Sequence, residues 1–229
     1  MSAIYLVRHG QASFGAQDYD KLSPLGIEQS RHLGATLASC GLKDPLFVSG
    51  SMRRHHETLE ECLLAWRVNA EPEVDEGWNE FDHLHLIRAA APEYADPAAL
   101  RSALSAQSNP KAAFQHLFEK AMVRWASGEH DVDYVETWDQ FHQRVDQSLS
   151  QLFQKLPHDR DAVVVTSGGP IASIIQSLLQ VPVSKSIALN WTLVNTGYTR
   201  VLTGKNGPRL CSLNVHVHLY GNPNLISYR

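Results

Sequence analysis

The triplet Arg8-His9-Gly10 puts a permanent cation and an imidazole beside a residue whose backbone can come close to a ligand. Taken alone it is equally compatible with Arg8 paired to a surface carboxylate and His9 merely closing a strand. A second cationic pair, Arg53-Arg54, falls where a helix is expected to open. A positive side chain there opposes the helix dipole and gains nothing for local stability. A bound anion removes the conflict, because guanidinium forks match phosphate oxygens two at a time and the helix N-terminus adds amide donors. One phosphate pocket would satisfy Arg8 and Arg54 together. A third turn, Ser167-Gly168-Gly169, follows the β-branched run Val163 to Thr166.

These turns sit inside longer patterns. The segment IYLVRHGQAS at residues 4–13 resembles the first motif of the histidine phosphatase superfamily, the phosphoglycerate-mutase-like proteins. Asp20-x-Leu22-Ser23-x-x-Gly26-x-x-Gln29 is similar to the stretch after that family's RHG turn. Ser49-Gly50-Ser51-Met52-Arg53-Arg54-x-x-x-Thr58 is similar to its second arginine motif, and spacing to Thr58 aligns Arg54, not Arg53, with the phosphate-binding arginine. Asn79-Glu80-Phe81 resembles the segment that carries the proton donor, and Val163 to Ile171 resembles the last motif. The motifs follow the family's order across most of the chain.

The resemblance implies that a ring nitrogen of His9 attacks phosphorus to give a phosphohistidine, splitting phosphoryl transfer into two displacements. Arg8 and Arg54 would neutralise the equatorial oxygens, and neighbouring cations favour the neutral, nucleophilic imidazole. Glu80 would protonate the leaving oxygen and later activate water. Gly10, Gln11, Ser13, Ser167 and Gly168 are the candidate substrate-binding positions, although polar residues after a turn are as often simply solvated. The chemistry calls for no metal and no cofactor.

One departure stands out. The family's last motif reads His-Gly-Gly, where this chain has Ser167-Gly168-Gly169. Loss of that histidine removes a donor worth on the order of 3 kcal/mol at a transferring phosphoryl group, while Ser167 can still donate one hydrogen bond. The sequence therefore leaves two readings: a working phosphatase that uses a hydroxyl there, or a catalytically weak protein that binds a phosphorylated ligand. Mutase activity is disfavoured because Phe81-Asp82-His83 lacks the Arg, Tyr and Gly that accompany the acid in the mutases it resembles.

Other chemistries fit poorly. Ser167 lies at a strand-to-helix turn, yet position 165 is Val rather than the Gly of a nucleophile elbow, and no Asp or Glu follows Asp161 to complete a Ser, acid, His order. The twelve histidines include His55-His56, His83-Leu84-His85 and His216-Val217-His218 but form no H-E-x-x-H pattern. Asp131, Asp133 and Glu136 lack the glycine of a calcium loop. Gly204-Lys205 lacks the glycine spacing of a phosphate-binding loop.

The positioning elements can be read around these residues. An apolar run, Ala3 to Val7, predicts a buried strand ending at Arg8. Ser23-Pro24 predicts a helix to about Cys40, Leu46 to Ser49 a second strand, and Leu59, Cys62, Leu63 and Trp66 the helix opened by Met52 to Arg54. Asp96-Pro97 and Asn109-Pro110 are further helix starts, and Thr137 with Gln140 matches a capping box. Strands are expected at Ala162 to Thr166, Ile187 to Val194, Tyr198 to Leu202 and Leu210 to Val217, with a helix ending near Leu179 between the first two. The alternation predicts a single α/β domain over 1–229, a three-layer sandwich with a mostly parallel central sheet and helices on both faces. A helical insertion at about 87–128 is expected to roof the site. Ligands in such sheets bind outside the carboxyl ends of the strands, where the three turns lie.

Composition narrows the partners. At 229 residues, 43% hydrophobic and net charge −4, the chain suits a compact domain and argues against a basic face for nucleic acid or acidic lipid. The uncharged stretch between Asp161 and Lys185 is broken by Ser167-Gly168-Gly169-Pro170, which argues against a membrane helix. Three scattered cysteines, Cys40, Cys62 and Cys211, outline no disulfide framework. With no signal peptide read at the N-terminus, a cytoplasmic protein acting on a small phosphorylated substrate is expected. Nothing in the sequence sets an oligomeric state.

Overall fold

Strand β1 (Ala3–Arg8) is buried along its whole length, and its side chains feed two separate cores. The computed structural model describes residues 2–13, 20–42, 44–204 and 207–228; Lys205 lies outside them. Around β1 are arranged β2 (Leu46–Ser49), β3 (Glu73–Val74), β4 (Ala162–Thr166), β5 (Tyr198–Leu202) and β6 (Arg209–Val215), in the order β3-β2-β4-β1-β5-β6. The pairings among β3, β2, β4 and β1 are parallel, and those of β5 with β1 and β6 are antiparallel. The sheet is thus mixed, with its parallel part centred on β4.

The helices are α1 (Pro24–Ser39), α2 (Arg53–Trp66), α3 (His83–Ala90), α4 (Pro97–Ser105), α5 (Pro110–Ala126), α6 (Trp138–Lys155), α7 (Gly168–Leu179) and α8 (Val183–Thr192). Alternate side chains of a strand point to opposite faces. Tyr5 and Val7 accordingly pack with Leu33 and Leu37 of α1 and Leu59 and Cys62 of α2. Ile4 and Leu6 join a larger core with Phe118 and Trp125 of α5, Phe141 and Val145 of α6, and Ile174 of α7. Burial of each such aliphatic or aromatic side chain contributes roughly 1.5–3 kcal/mol before entropy is counted. A Cβ on Gly34 would stand 2.2 Å from the Cys62 carbonyl oxygen, so glycine there lets α1 and α2 cross closely.

Local signals explain the helix starts. Ser23 caps α1 by accepting from Gly26 N–H at 3.1 Å, and Thr137 and Gln140 form the expected capping box on α6. One predicted strand is wrong: the Ile187 to Val194 stretch lies mostly within α8, and Leu193 and Val194 follow it as extended chain rather than strand. Its buried and half-buried residues, Ser186, Ile187, Asn190 and Trp191, recur at helical rather than alternating spacing. The acidic stretch before Asp82 holds β3 and a short turn, and Asp82 itself caps α3, accepting from Leu84 and His85 N–H at 3.0 Å each. No helix of the described residues is long and apolar enough to cross a membrane.

Three strands deliver the site. His9 N–H donates to Thr166 O at 2.9 Å and Gly50 N–H to Val165 O at 3.1 Å, so the turns after β1, β2 and β4 emerge side by side at the carboxyl edge of the parallel strands.

Candidate active site

Beyond that edge lies a hollow of roughly 810 Å³, counting the space at its mouth, whose lining includes Arg8, His9, Arg54 and Glu80. His9 is nearly buried. Its Nδ1 lies 2.7 Å from Gly10 O, and a carbonyl only accepts, so Nδ1 carries the proton. Nε2 is then a lone pair, and it accepts from Arg54 Nε at 3.2 Å. Burial, then Arg54, His55 and Arg8, hold the imidazole well below its usual pKa. The ring is neutral near pH 7 and has its nucleophilic nitrogen beside a guanidinium.

The cations are fixed from behind. Arg8 donates to Leu193 O, and Arg54 pairs with Asp20. Arg53 pairs with Glu57 at 2.6 Å, and Arg54 is the one of the two that donates to His9. Thr58 Oγ1 accepts from Gly10 N–H at 2.9 Å and donates to Arg54 O at 2.6 Å, joining the first turn to the first turns of α2. Asn195 Nδ2 donates to His9 O at 3.0 Å from the far side.

Glu80 arrives on a separate loop. Arg144 of α6 donates to Gly77 O and Asn79 O, each at 2.9 Å, while gripping Glu136; Thr166 Oγ1 donates to Trp78 O at 2.5 Å. The carboxylate accepts from Gly169 N–H at 3.1 Å. A Cβ on Gly169 would come within 2.0 Å of Glu80 Oε1, so the second glycine of the last turn is what admits the acid. Burial raises the Glu80 pKa, against the opposing pull of Gly169 N–H, Arg54 and Arg8. A carboxyl that keeps its proton longer than usual can serve as a general acid.

The other predicted contacts lie behind the wall. Gly10 is packed against Gly26, where a Cβ would meet a carbonyl oxygen at 2.6 Å. Gln11 accepts from Ser23 Oγ at 2.8 Å, and Ser13 N–H donates to Lys21 O at 2.7 Å, so both tie the first turn to the entry of α1. Ser167 is fully buried with Oγ 2.7 Å from His55 Nε2. A Cβ on Gly168 would stand 2.0 Å from Asn190 Oδ1. None of the five is among the residues lining the hollow. The upper wall is formed by Phe81, Phe114, Phe118, Trp191 and Tyr228; Phe114 and Phe118 lie in the stretch expected to roof the site, while sequence reasoning missed Trp191, Tyr228 and the clamp by Arg144. Helical periodicity flags Phe114 and Phe118 only as apolar, and Arg144 carries no motif at all.

The family model described as histidine phosphatase superfamily (branch 1) matches residues 4–103 and 102–216. The structure is similar to a phosphoglycerate mutase from Bacillus anthracis str. Sterne, with TM-score 0.66 and 16% identity over 95% of each chain. It is also similar to phosphoserine phosphatase in complex with 3-phosphoglyceric acid from Entamoeba histolytica, with TM-score 0.65 and 20% identity over 96% of this chain and 100% of that one. No curated protein matches the sequence. At these identities the solved structures speak to the fold.

Proposed function

This chain belongs to the histidine phosphatase superfamily, and from that premise we propose that it hydrolyses phosphate monoesters through a phosphohistidine at His9. The observation that carries this reading is the pinned tautomer: with Nδ1 committed to Gly10 O, the Nε2 lone pair lies on the floor of a hollow that also holds Arg8, Arg54 and Glu80. Nε2 attacks phosphorus, the bond to the ester oxygen breaks, and its electron pair leaves with that oxygen, which takes the Glu80 proton. The Glu80 carboxylate then accepts a proton from water as the water attacks phosphorus, and the P–N bond breaks to return neutral His9. Arg8 and Arg54 stabilise the equatorial oxygens in both steps. In the free protein Arg54 donates to Nε2, a bond it exchanges for phosphate oxygens when substrate enters. No step calls for a metal, so hydrolysis should persist in chelator.

Hydrolysis is favoured over mutase chemistry because Arg8 and Arg54 are the only Lys or Arg among the described residues lining the hollow, and both face the transferring group. A phosphoglycerate-type substrate carries a carboxylate that would need a cation of its own. Residues 87–128 act in this reading as an insertion whose Phe114 and Phe118 cover the site and select the leaving group. Gly10, Gln11, Ser13, Ser167 and Gly168 shape the floor from behind.

The test is phosphate release from p-nitrophenyl phosphate and a panel of small monoesters, with acid-labile, alkali-stable phosphoenzyme trapped in parallel. Activity and trapping in the wild type, both lost in His9→Ala, are expected. Equal rates in the two proteins would overturn the reading, and ligand retention without covalent transfer would replace it with a binding role.

A further inference from the structure

His55 follows Arg54 in the first turn of α2, is fully buried, and has its ring centroid 5.7 Å from that of His9 with the planes tilted by 39°. The backbone makes room for it: a Cβ on Gly50 would come 2.3 Å from His55 Nδ1 and 2.9 Å from Cε1. Nε2 meets Ser167 Oγ at 2.7 Å, whereas Nδ1 has no hydrogen-bond partner among the described residues. Burying an imidazole with one nitrogen unmatched costs stability that an apolar ring would not cost, so packing alone does not account for this side chain. Charge does not account for it either, since burial, then Arg54 and His56, keep the ring neutral by holding its pKa well below the usual value.

We propose that His55 and Ser167 jointly replace the histidine that the family carries at position 167, with the imidazole mounted on α2 and the serine hydroxyl linking it to the start of α7. The proposal rests on the phosphatase reading above. With Nε2–H donating to Ser167 Oγ, Nδ1 is left as a lone pair, an easier group to leave unmatched than an N–H. The serine hydroxyl then retains its own proton to donate. Ser167 lies two residues before Gly169, whose N–H holds Glu80, and it directly follows Thr166, whose carbonyl accepts from His9 N–H at 2.9 Å. The pair therefore couples the helix of Arg54 to the nucleophile on one side and the acid on the other, and His55 is a positioning residue acting through Ser167.

An exchange of the two side chains tests this. His55→Ala should lower kcat on p-nitrophenyl phosphate about tenfold or more, with KM changed less than roughly threefold. Ser167→His alone should do at least as much harm, because two rings then compete for one buried space. The double variant His55→Ala/Ser167→His returns the ring to position 167 and vacates its present place, so it should recover most of the kcat and the phosphoenzyme yield. A double variant that is folded and no better than the worse single variant would overturn the proposal. Should Ser167→His fail to fold, Ser167→Ala serves instead: it should match the loss in His55→Ala without adding to it, and additive losses would also overturn the proposal. A wild type no faster than His9→Ala defeats the phosphatase reading itself, whereas an active wild type with an unrecovered exchange defeats only this inference.

Discussion

The floor and the mouth of the hollow are built by different means. The floor is set by strand ends and backbone bonds, with Gly10 against Gly26 and Gly169 against Glu80 at separations that tolerate no added carbon. The mouth is a set of rings carried by α5, α8 and the last residues: Phe114 stacks on Phe118 at 6.2 Å, Phe118 meets Trp191 edge-on at 5.2 Å, and Tyr228 is half exposed. A backbone-built floor leaves little room for substitution, whereas side chains at a rim can vary. Reaction chemistry should therefore reside in the floor and substrate choice in the mouth.

The largest effect expected from breaking the floor is His9→Ala, which should reduce hydrolysis by about 10³-fold or more and abolish the trapped phosphoenzyme. Next is Arg54→Lys, which keeps the charge but loses the planar fork that spans His9 and the phosphate. A drop of roughly 10²-fold in kcat/KM is expected, largely unrecovered at high substrate. A tenfold smaller loss would mean that Arg54 acts as a point charge only.

Glu80 divides floor from leaving group and has its own signature in pH. The depressed pKa of His9 places the rising limb of kcat/KM, where the ring must lose its proton, below the usual imidazole range. The elevated pKa of Glu80 places the falling limb, where the acid loses its proton, above the usual carboxylate range. An alkyl phosphate should thus show a bell bounded by these two displaced limbs. In kcat/KM, which reports the first displacement alone, Glu80→Gln should flatten the falling limb and cost the alkyl ester about 10²-fold, while p-nitrophenyl phosphate, whose leaving group needs no proton, changes far less. Gly169→Ala should imitate it, since its methyl group would occupy the place of Glu80 Oε1. Equal losses on both esters would remove Glu80 from the acid role.

The same division explains what could be read from the sequence. Arg8, His9 and Arg54 were legible because each lies within a few residues of a strand end, where a short pattern fixes both the turn and the side chain. The glycines of those turns were legible as positions only, since Gly10 and Gly168 pack against Gly26 and Asn190 rather than lining the hollow. Arg144 was not, because its work at Gly77 and Asn79 is done 67 and 65 residues away in sequence. Nor was the burial of His55, since the sequence HH offers no clue that one ring turns inward and the other does not. The stretch at 187 was misread because its β-branched and aromatic residues satisfy strand and helix patterns alike until Pro182 and the packing of Ile187 decide for a helix.

The smallest and most selective effect belongs to the mouth. Phe118 is a poor probe, because it is buried in the larger core and its truncation should cost about 3–5 kcal/mol of stability. Trp191 is better: it is only half-buried on α8, touches Phe118 by its edge, and lines the hollow. Removing part of its contact with an apolar leaving group forfeits on the order of 1–2 kcal/mol of binding. Trp191→Ala should therefore raise KM for an aryl or long-chain alkyl phosphate by about tenfold while leaving inhibition by inorganic phosphate within about twofold of the wild type. Inorganic phosphate meets only the floor, so a parallel loss of its inhibition would show that the rim and the floor are one unit and that the leaving group is chosen elsewhere.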